Sequence, residues 1–395
     1  MNTPHNMTPF SPDKLANRLH GIPPFHVMEL LTRAQELAAQ GKDIIHMEVG
    51  EPDFPTPPTI VAAAQTFLAG GQVRYTPALG LPALREAISA FYASHYDARV
   101  PAERIAITAG ASGALLLAIA ALTNPGDEWL LTDPGYPCNR QFVQAFNGSV
   151  NALPVTAQND YQPTLTQIEQ AWSARTRGLL VASPANPTGT LIEQAELGRL
   201  ADVVAARKGT LIVDEIYQGL VYGQPRETVL RQRDDVFVVN SFSKFFGMTG
   251  WRLGWLVVPQ GCTRAIELLS QHLFIAASTP AQHAALAAFT PETLGVLEER
   301  RVTLDKRRIA LMAGLRSLGM RIDTEPRGAF YIYANIAGLA PDSMQLAHRL
   351  LEEAGVATTP GLDFGAYRAT EHLRVAYTAE IDRMQDAIER IRKVL

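Results

Sequence analysis

The sequence predicts an α/β protein: a large domain with a mostly parallel seven-stranded sheet between helices, followed by a smaller α+β domain. From Asp43 to about Pro259, seven short apolar runs (DIIHMEV, RIAIT, EWLLTD, GLLVAS, TLIVDE, VFVVNS and GWLVVP) alternate with helical patterns and turn residues. Several of these runs lack polar alternation, as strands covered on both faces do. After Pro280 the texture becomes charged and helix-periodic. The expected division is an arm and helix over 1–42, the large domain over 43–280 and the small domain over 281–395.

The opening residues, MNTPHNMTPFSPDK, read as a loose Pro-rich arm without the basic and apolar regions of a secretory signal. A helix is expected over Val27 to Gln40, packed with the C-terminal part. The stretch from Ile105 to Gly126 carries no charge and is long enough to cross a bilayer. It is better read as a strand (IAIT), a turn with two glycines (AGASG) and a buried helix ended by Asn124-Pro125-Gly126. Beyond Pro280 come a long helix from Pro291 to Gly319, the strand AFYIYANI, a helix around Ser343 to Ala354, the strand HLRVAYT and an amphipathic helix to Leu395.

With 395 residues, 47% of them hydrophobic, the chain can bury a large core and leave a cleft between units. The formal charge of -4 and the absence of basic runs give no reason to expect nucleic acid or an anionic membrane as partner. Two distant cysteines, Cys138 and Cys262, are too few for a disulfide framework and point to reduced thiols in the cytoplasm. No metal-ligand spacing stands out, and there is no P-loop, G-x-G-x-x-G loop, H-E-x-x-H helix or G-x-S-x-G elbow.

In a sheet of this type ligands sit beyond the carboxyl ends of the strands. After RIAIT, Gly110-Ala111-Ser112-Gly113 opens a helix, where free N–H groups can hold a phosphate or simply make a tight turn. TLIVDE ends in Asp214 with Tyr217 three residues on; the carboxylate is either a helix cap or an anion that keeps a heterocyclic nitrogen protonated. SPANPTG sets Asn186 on a Pro-bounded turn. The most informative stretch is SFSKFFGMTGWRLGW, in which Lys244, one of six lysines, sits among aromatics directly after an apolar strand. An amine in such surroundings has a lowered pKa and can form a Schiff base with a carbonyl. Ser241, Ser243 and Arg252 flank it with donors suited to a phosphate. Together these features specify pyridoxal 5'-phosphate.

The motifs EVGEPDFPTP, RYTPALGLPALREAI, TAGASGAL, DPGYP, SPANPTGT, IVDEIY, SFSKFFGMTGWRLGW, PRGAFYIY and HLRVAYT, in this order from about Ile22 to Thr378, resemble those of the class I/II aminotransferases, fold-type I pyridoxal-phosphate enzymes. The resemblance implies that Lys244 is the Schiff-base lysine, Asp214 the partner of the pyridine nitrogen, and Asn186 and Tyr217 the neighbours of the phenolic oxygen. It implies that Tyr136 stacks on the ring and that Ala111, Ser112, Ser241, Ser243 and Arg252 hold the phosphate. Tyr75 would reach the phosphate of a neighbouring subunit, making a homodimer. Arg374 would bind the substrate α-carboxylate, with Gly50 and Asn186 alongside. The implied reaction moves an amino group to a 2-oxo acid by a ping-pong aldimine/ketimine route, in which Lys244 carries the Cα proton to the C4′ carbon.

Phe25 and His26 occupy a stretch that lies beside the substrate side chain in relatives, which favours apolar or aromatic donors over aspartate. A carbon–sulfur β-lyase would share every cofactor residue, as would a decarboxylase or synthase of the family. A cofactor-sensing regulator would need a DNA-binding domain, for which the residues ahead of the large domain are too few. The long helix around Thr293 to Leu318 suggests that the small domain rotates toward the large one when Arg374 captures a carboxylate.

Overall fold

The computed structural model describes residues 11–395; of the arm expected over 1–14, residues 1–10 lie outside that range. The described strands are β1 (Ile45–His46), β2 (Ile105–Thr108), β3 (Glu128–Asp133), β4 (Ser149–Pro154), β5 (Thr176–Ala182), β6 (Thr210–Asp214), β7 (Phe237–Ser241), β8 (Gly254–Val257), β9 (Tyr331–Asn335), β10 (Val356–Ala357), β11 (Thr359–Pro360) and β12 (His372–Ala376). The described α-helices are α1 (His26–Ala39), α2 (Pro58–Ala69), α3 (Pro82–Tyr96), α4 (Gly110–Leu122), α5 (Cys138–Ala145), α6 (Leu165–Ala171), α7 (Gln194–Ala206), α8 (Thr263–Leu273), α9 (Thr279–Ala285), α10 (Pro291–Ser317), α11 (Ser343–Arg349) and α12 (Ile381–Arg392).

Seven strands form one sheet in the order β2-β8-β7-β6-β5-β3-β4. Only β8 runs against its neighbours, so the sheet is mostly parallel as expected. Its strands β7 and β8 are buried along their whole length and β5 and β6 along most of it: Leu179, Val181, Val213, Val238 and Val257 face one apolar cluster, while Leu180, Ile212, Val239 and Leu256 face another. Residues that alternate between two apolar faces give runs without a polar period. The charge-free stretch resolves into β2 and α4, and α4 packs on β7 and β8. Among the described residues no helix is long and apolar enough to cross a membrane.

Two strand assignments need correction. DIIHMEV does not join the large sheet: only Ile45–His46 is strand, and it pairs in parallel with Val356–Ala357. Ile45 and Met47 are buried, but an apolar run reports burial and is silent about the pairing partner. The seventh strand of the sheet is instead β4, SVNALP, on the edge beside β3. Its partly exposed polar residues and terminal Pro154 hide it from a search for apolar runs, and both are features that edge strands tolerate.

The remaining strands β11, β12 and β9 make a small antiparallel sheet. The 27-residue helix α10 starts with Pro291 at its first turn, and the Thr290 hydroxyl accepts the Thr293 N–H. Within α10 the fully buried Arg307 donates to Asp53 Oδ1 at 2.7 Å and also pairs with Glu380. The loop after Gly50 is thereby tied to the start of α12.

Candidate active site

The carboxyl ends of β2, β5, β6 and β7 open toward the small sheet, and a cavity of about 230 Å³ lies between them. Its walls include Ala111, Ser112, Tyr136, Asn186, Asp214, Tyr217, Ser243, Lys244 and Arg252 from around the large sheet, Arg374 and Tyr331 from the small one, and Phe25 and Gly50. Positions from Ala111 to Arg252 meet because an α/β sheet turns every strand end into the same rim, and Phe25, Gly50, Tyr331 and Arg374 are brought to it by the elements packed against that rim.

Lys244 follows β7 by three residues, and its Nζ donates to the Gly50 carbonyl at 2.5 Å. Burial, then the nearby Arg374 charge, pull its pKa down to about 8. A large fraction of this amine is therefore neutral near pH 8, where an exposed lysine is almost fully protonated. Asp214 ends β6, and its Oδ1 accepts the Ile216 N–H at 3.0 Å. Burial raises its carboxyl to about 6, against that N–H and the Lys244 charge. It remains an anion at neutral pH and gains most from a cationic N–H placed against it.

The Tyr217 hydroxyl lies 3.0 Å from that of Tyr331. Burial pushes both phenols up, so each keeps its proton and can donate. Tyr331 also packs on Gly50: a Cβ built there would come within 2.4 Å of the Tyr331 hydroxyl oxygen. The amine, the backbone that holds it and the phenol pair form one packed group.

At the other end of the cavity, α4 begins at Gly110 with φ +71°, and no side chain caps its first turn. The free N–H groups and helix dipole there attract an anion. The Arg252 guanidinium lies beside it, close enough that a Cβ on Gly110 would meet Nη2 at 2.7 Å. Ser243 faces the cavity, whereas Ser241 sits behind it and does not: its Oγ is 3.0 Å from Ser243 Oγ and accepts the Ser243 N–H at 3.0 Å. Uncapped N–H groups, a guanidinium and a serine fit a phosphate; an amine near pKa 8 and a buried carboxylate fit the aldehyde and ring nitrogen of pyridoxal.

Arg374 is buried on β12. Nη1 donates to Asn186 Oδ1 at 3.0 Å, and Nη2 to the Glu48 carbonyl at 2.6 Å and Thr359 Oγ1 at 3.2 Å. Its guanidinium carbon is 4.3 Å from the centre of the Tyr331 ring and 4.8 Å from that of Phe364. Such stacking is worth about 2 kcal/mol at a desolvated site. Nε is buried without a partner, the condition of a fork that waits for an anion.

Besides Ser241, one residue expected at this cavity lies off its wall. His26 is in the first turn of α1, where its Nδ1 pairs with Glu29 at 3.2 Å, and it does not line the cavity. Phe25, the extended residue before the helix, does line the cavity, so the two neighbours part at the helix start. Tyr75, expected to serve the site of a neighbouring subunit, does not line this chain's own cavity and is 81% exposed at the surface. Sequence reasoning missed Tyr331, although its motif was in view: on antiparallel β9 and β12 it lies diagonal to Arg374 on one face. It also missed the α1 residues Val27, Met28 and Leu31, which line the cavity beside Phe25.

Residues 42–391 match the family described as aminotransferase class I and II. The chain is 38% identical over 381 residues to a valine–pyruvate aminotransferase of Mycobacterium tuberculosis, covering 96% of this chain and 98% of that one. It is 32% identical to an aspartate aminotransferase of Thermotoga maritima, covering 96% and 99%. A crystal structure of an aminotransferase from Mycobacterium tuberculosis superposes with a TM-score of 0.93 at 37% identity, covering 96% and 98%. The chain belongs to the class I and II aminotransferases and is a fold-type I aminotransferase dependent on pyridoxal 5'-phosphate.

Proposed function

We propose that this aminotransferase takes its amino group from L-amino acids with apolar or aromatic side chains. The observation that carries this reading is the wall formed by Phe25, Val27, Met28 and Leu31 on one side of the cavity. The cations lining the cavity are Lys244, Arg252 and Arg374, and each has another task in the scheme below. A second carboxylate entering here would lose its water against apolar carbon. The relatives include one named for valine and one for aspartate, so the donor has to be read from this chain's own wall.

The residues divide the work as follows. Bound pyridoxal phosphate supplies an electron sink for the charge left when the donor's Cα–H bond breaks. Asp214 holds a proton on the ring nitrogen, and Tyr217 with Asn186 donates to the phenolic oxygen. Tyr331, within hydrogen-bond distance of Tyr217, orients that phenol. Tyr136 covers the ring face. Ala111, Ser112, Ser243 and Arg252 hold the phosphate, Ser241 orients Ser243 from behind, and Tyr75 of a second copy completes the set in a homodimer. Arg374 takes the donor carboxylate with the partnerless Nε, while Asn186 and Gly50 border it. Lys244, held by the Gly50 carbonyl, is the base that takes the Cα proton and delivers it to the C4′ carbon.

Residues 43–280, less the β1 pair, and residues 281–395 act as two bodies in this reading. Capture of a carboxylate at Arg374 draws the second toward the first, with α10 as the connecting helix, and excludes water from the Cα–H bond. We place the reaction in the cytoplasm, in keeping with the free thiols of Cys138 and Cys262.

The test is a steady-state series with a common 2-oxo acid acceptor. Valine, leucine, methionine and phenylalanine are expected to exceed aspartate in kcat/KM by at least about tenfold, the order that one misplaced group in an apolar pocket produces. Aspartate ahead of all four would contradict the donor assignment.

A further inference from the structure

The wall that faces the donor side chain belongs to the first turns of α1, and something must hold that helix end in place. Phe25, the residue before the helix, provides no side-chain cap. The His26 and Val27 N–H groups instead donate to Asp363 Oδ1 and Oδ2, both at 2.8 Å. This carboxylate, more than 330 positions away, closes two of the orphan donors that every helix start leaves and sets a negative charge at the positive end of the helix dipole. Val27, whose N–H it accepts, is itself a wall residue.

Asp363 is the neighbour of Phe364, over whose ring the Arg374 guanidinium carbon lies. Four positions earlier, Thr359 accepts from Arg374 Nη2 and donates to the Glu48 carbonyl, which Arg374 also uses. On the far side, the Asp133 carboxylate accepts the Ala366 and Tyr367 N–H groups at 3.0 to 3.3 Å. The run 359–367 is therefore fastened at both ends. It carries two attachments that matter to a donor: one to the arginine assigned to its carboxylate, the other to the helix that meets its side chain.

We infer that Asp363 is a positioning residue for donor selection, holding the α1 wall at a set distance from Arg374 so that side-chain length is measured from the carboxylate. The inference rests on the assignment of Arg374 and the α1 wall to the donor. A long side chain reaches the wall, whereas alanine ends short of it. Loss of the Asp363 carboxylate loosens the wall while leaving Lys244, Asp214 and the phosphate cradle untouched.

The experiment compares Asp363→Ala and Asp363→Asn with the unaltered holoenzyme, using alanine, valine, leucine and phenylalanine as donors. For Asp363→Ala, KM and the half-saturation of the donor-induced absorbance change are expected to rise about tenfold for leucine and phenylalanine. Those for alanine stay within twofold, and kcat changes little. Asp363→Asn, which keeps one carbonyl acceptor for the helix N–H groups, is expected to fall between the two and serves alone if the alanine variant does not fold. An equal loss for alanine and leucine, or an unchanged leucine-to-alanine ratio in a variant that retains its cofactor band, would overturn the inference. The donor assignment fails separately, in the unaltered enzyme, if aspartate outranks the apolar series. The change in the ratio of long to short donors still reads the role of Asp363 in that case.

Discussion

Lys244→Ala is expected to lower turnover by at least about 10⁴-fold. A positioned general base alone contributes up to about that factor, and this amine is also the assigned point of covalent attachment. The local structure leaves no substitute. Among the lysines of the chain, Lys244 is the one that lines the cavity, and its amine is held by the Gly50 carbonyl. Its lowered pKa reflects burial and the Arg374 charge, so a distant lysine would lack both the position and the neutral form. The check is steady-state turnover with and without a small added primary amine. Partial return of activity with the added amine would show that the missing group is a base. Activity within tenfold of the parent would show that the proton moves by another route.

Arg374→Ala is expected to lower kcat/KM for every α-amino acid donor by about 10²-fold or more. Removing one partner of a buried charge pair costs about 3 kcal/mol, and each 1.4 kcal/mol is a factor of ten. The environment explains why even lysine should not replace it. The guanidinium carbon lies over both the Tyr331 and the Phe364 ring, and the group makes three separate hydrogen bonds besides the unpaired Nε. A lysine ammonium cannot stack on both rings and reach the same acceptors. Amines that lack a carboxylate separate the two roles of this residue: their rates, low in both proteins, are expected to change much less. A uniform loss for both kinds of amine would assign Arg374 to the fold and not to the substrate.

The parts of the site that were legible in the sequence lie at strand ends. Asp214 closes an apolar run, Lys244 and Ser243 follow one, and Gly110 to Ser112 stand between a strand and a helix, so local patterns place them on the rim of the sheet before any tertiary contact is known. Arg374 and Tyr136 were found through motif resemblance, and the structure supplies their physical setting. The residues that escaped are those whose importance is purely tertiary. Asp363 is an acidic residue in a loop until α1 is placed against it, and Tyr331 is a core aromatic until Gly50, Tyr217 and Arg374 converge on it. The pair Phe25 and His26 shows the opposite error. A stretch that lies beside the donor side chain in relatives does not say which of its residues faces the cavity: Phe25 lines it, while His26, the first helical residue, pairs with Glu29. In the fold, β1 stands outside the large sheet and β4 within it because apolar content marks burial, whereas strand pairing depends on partners that the local run does not specify.

The most direct test of the account is the absorption spectrum of the purified holoenzyme on addition of valine alone, with the 2-oxo acid measured in the same sample. The visible band of the bound cofactor is expected to give way to a near-ultraviolet band, with one equivalent of 2-oxo acid released per site and no ammonia. A visible band that persists while ammonia accumulates, or a protein that takes up no pyridoxal phosphate, would contradict it.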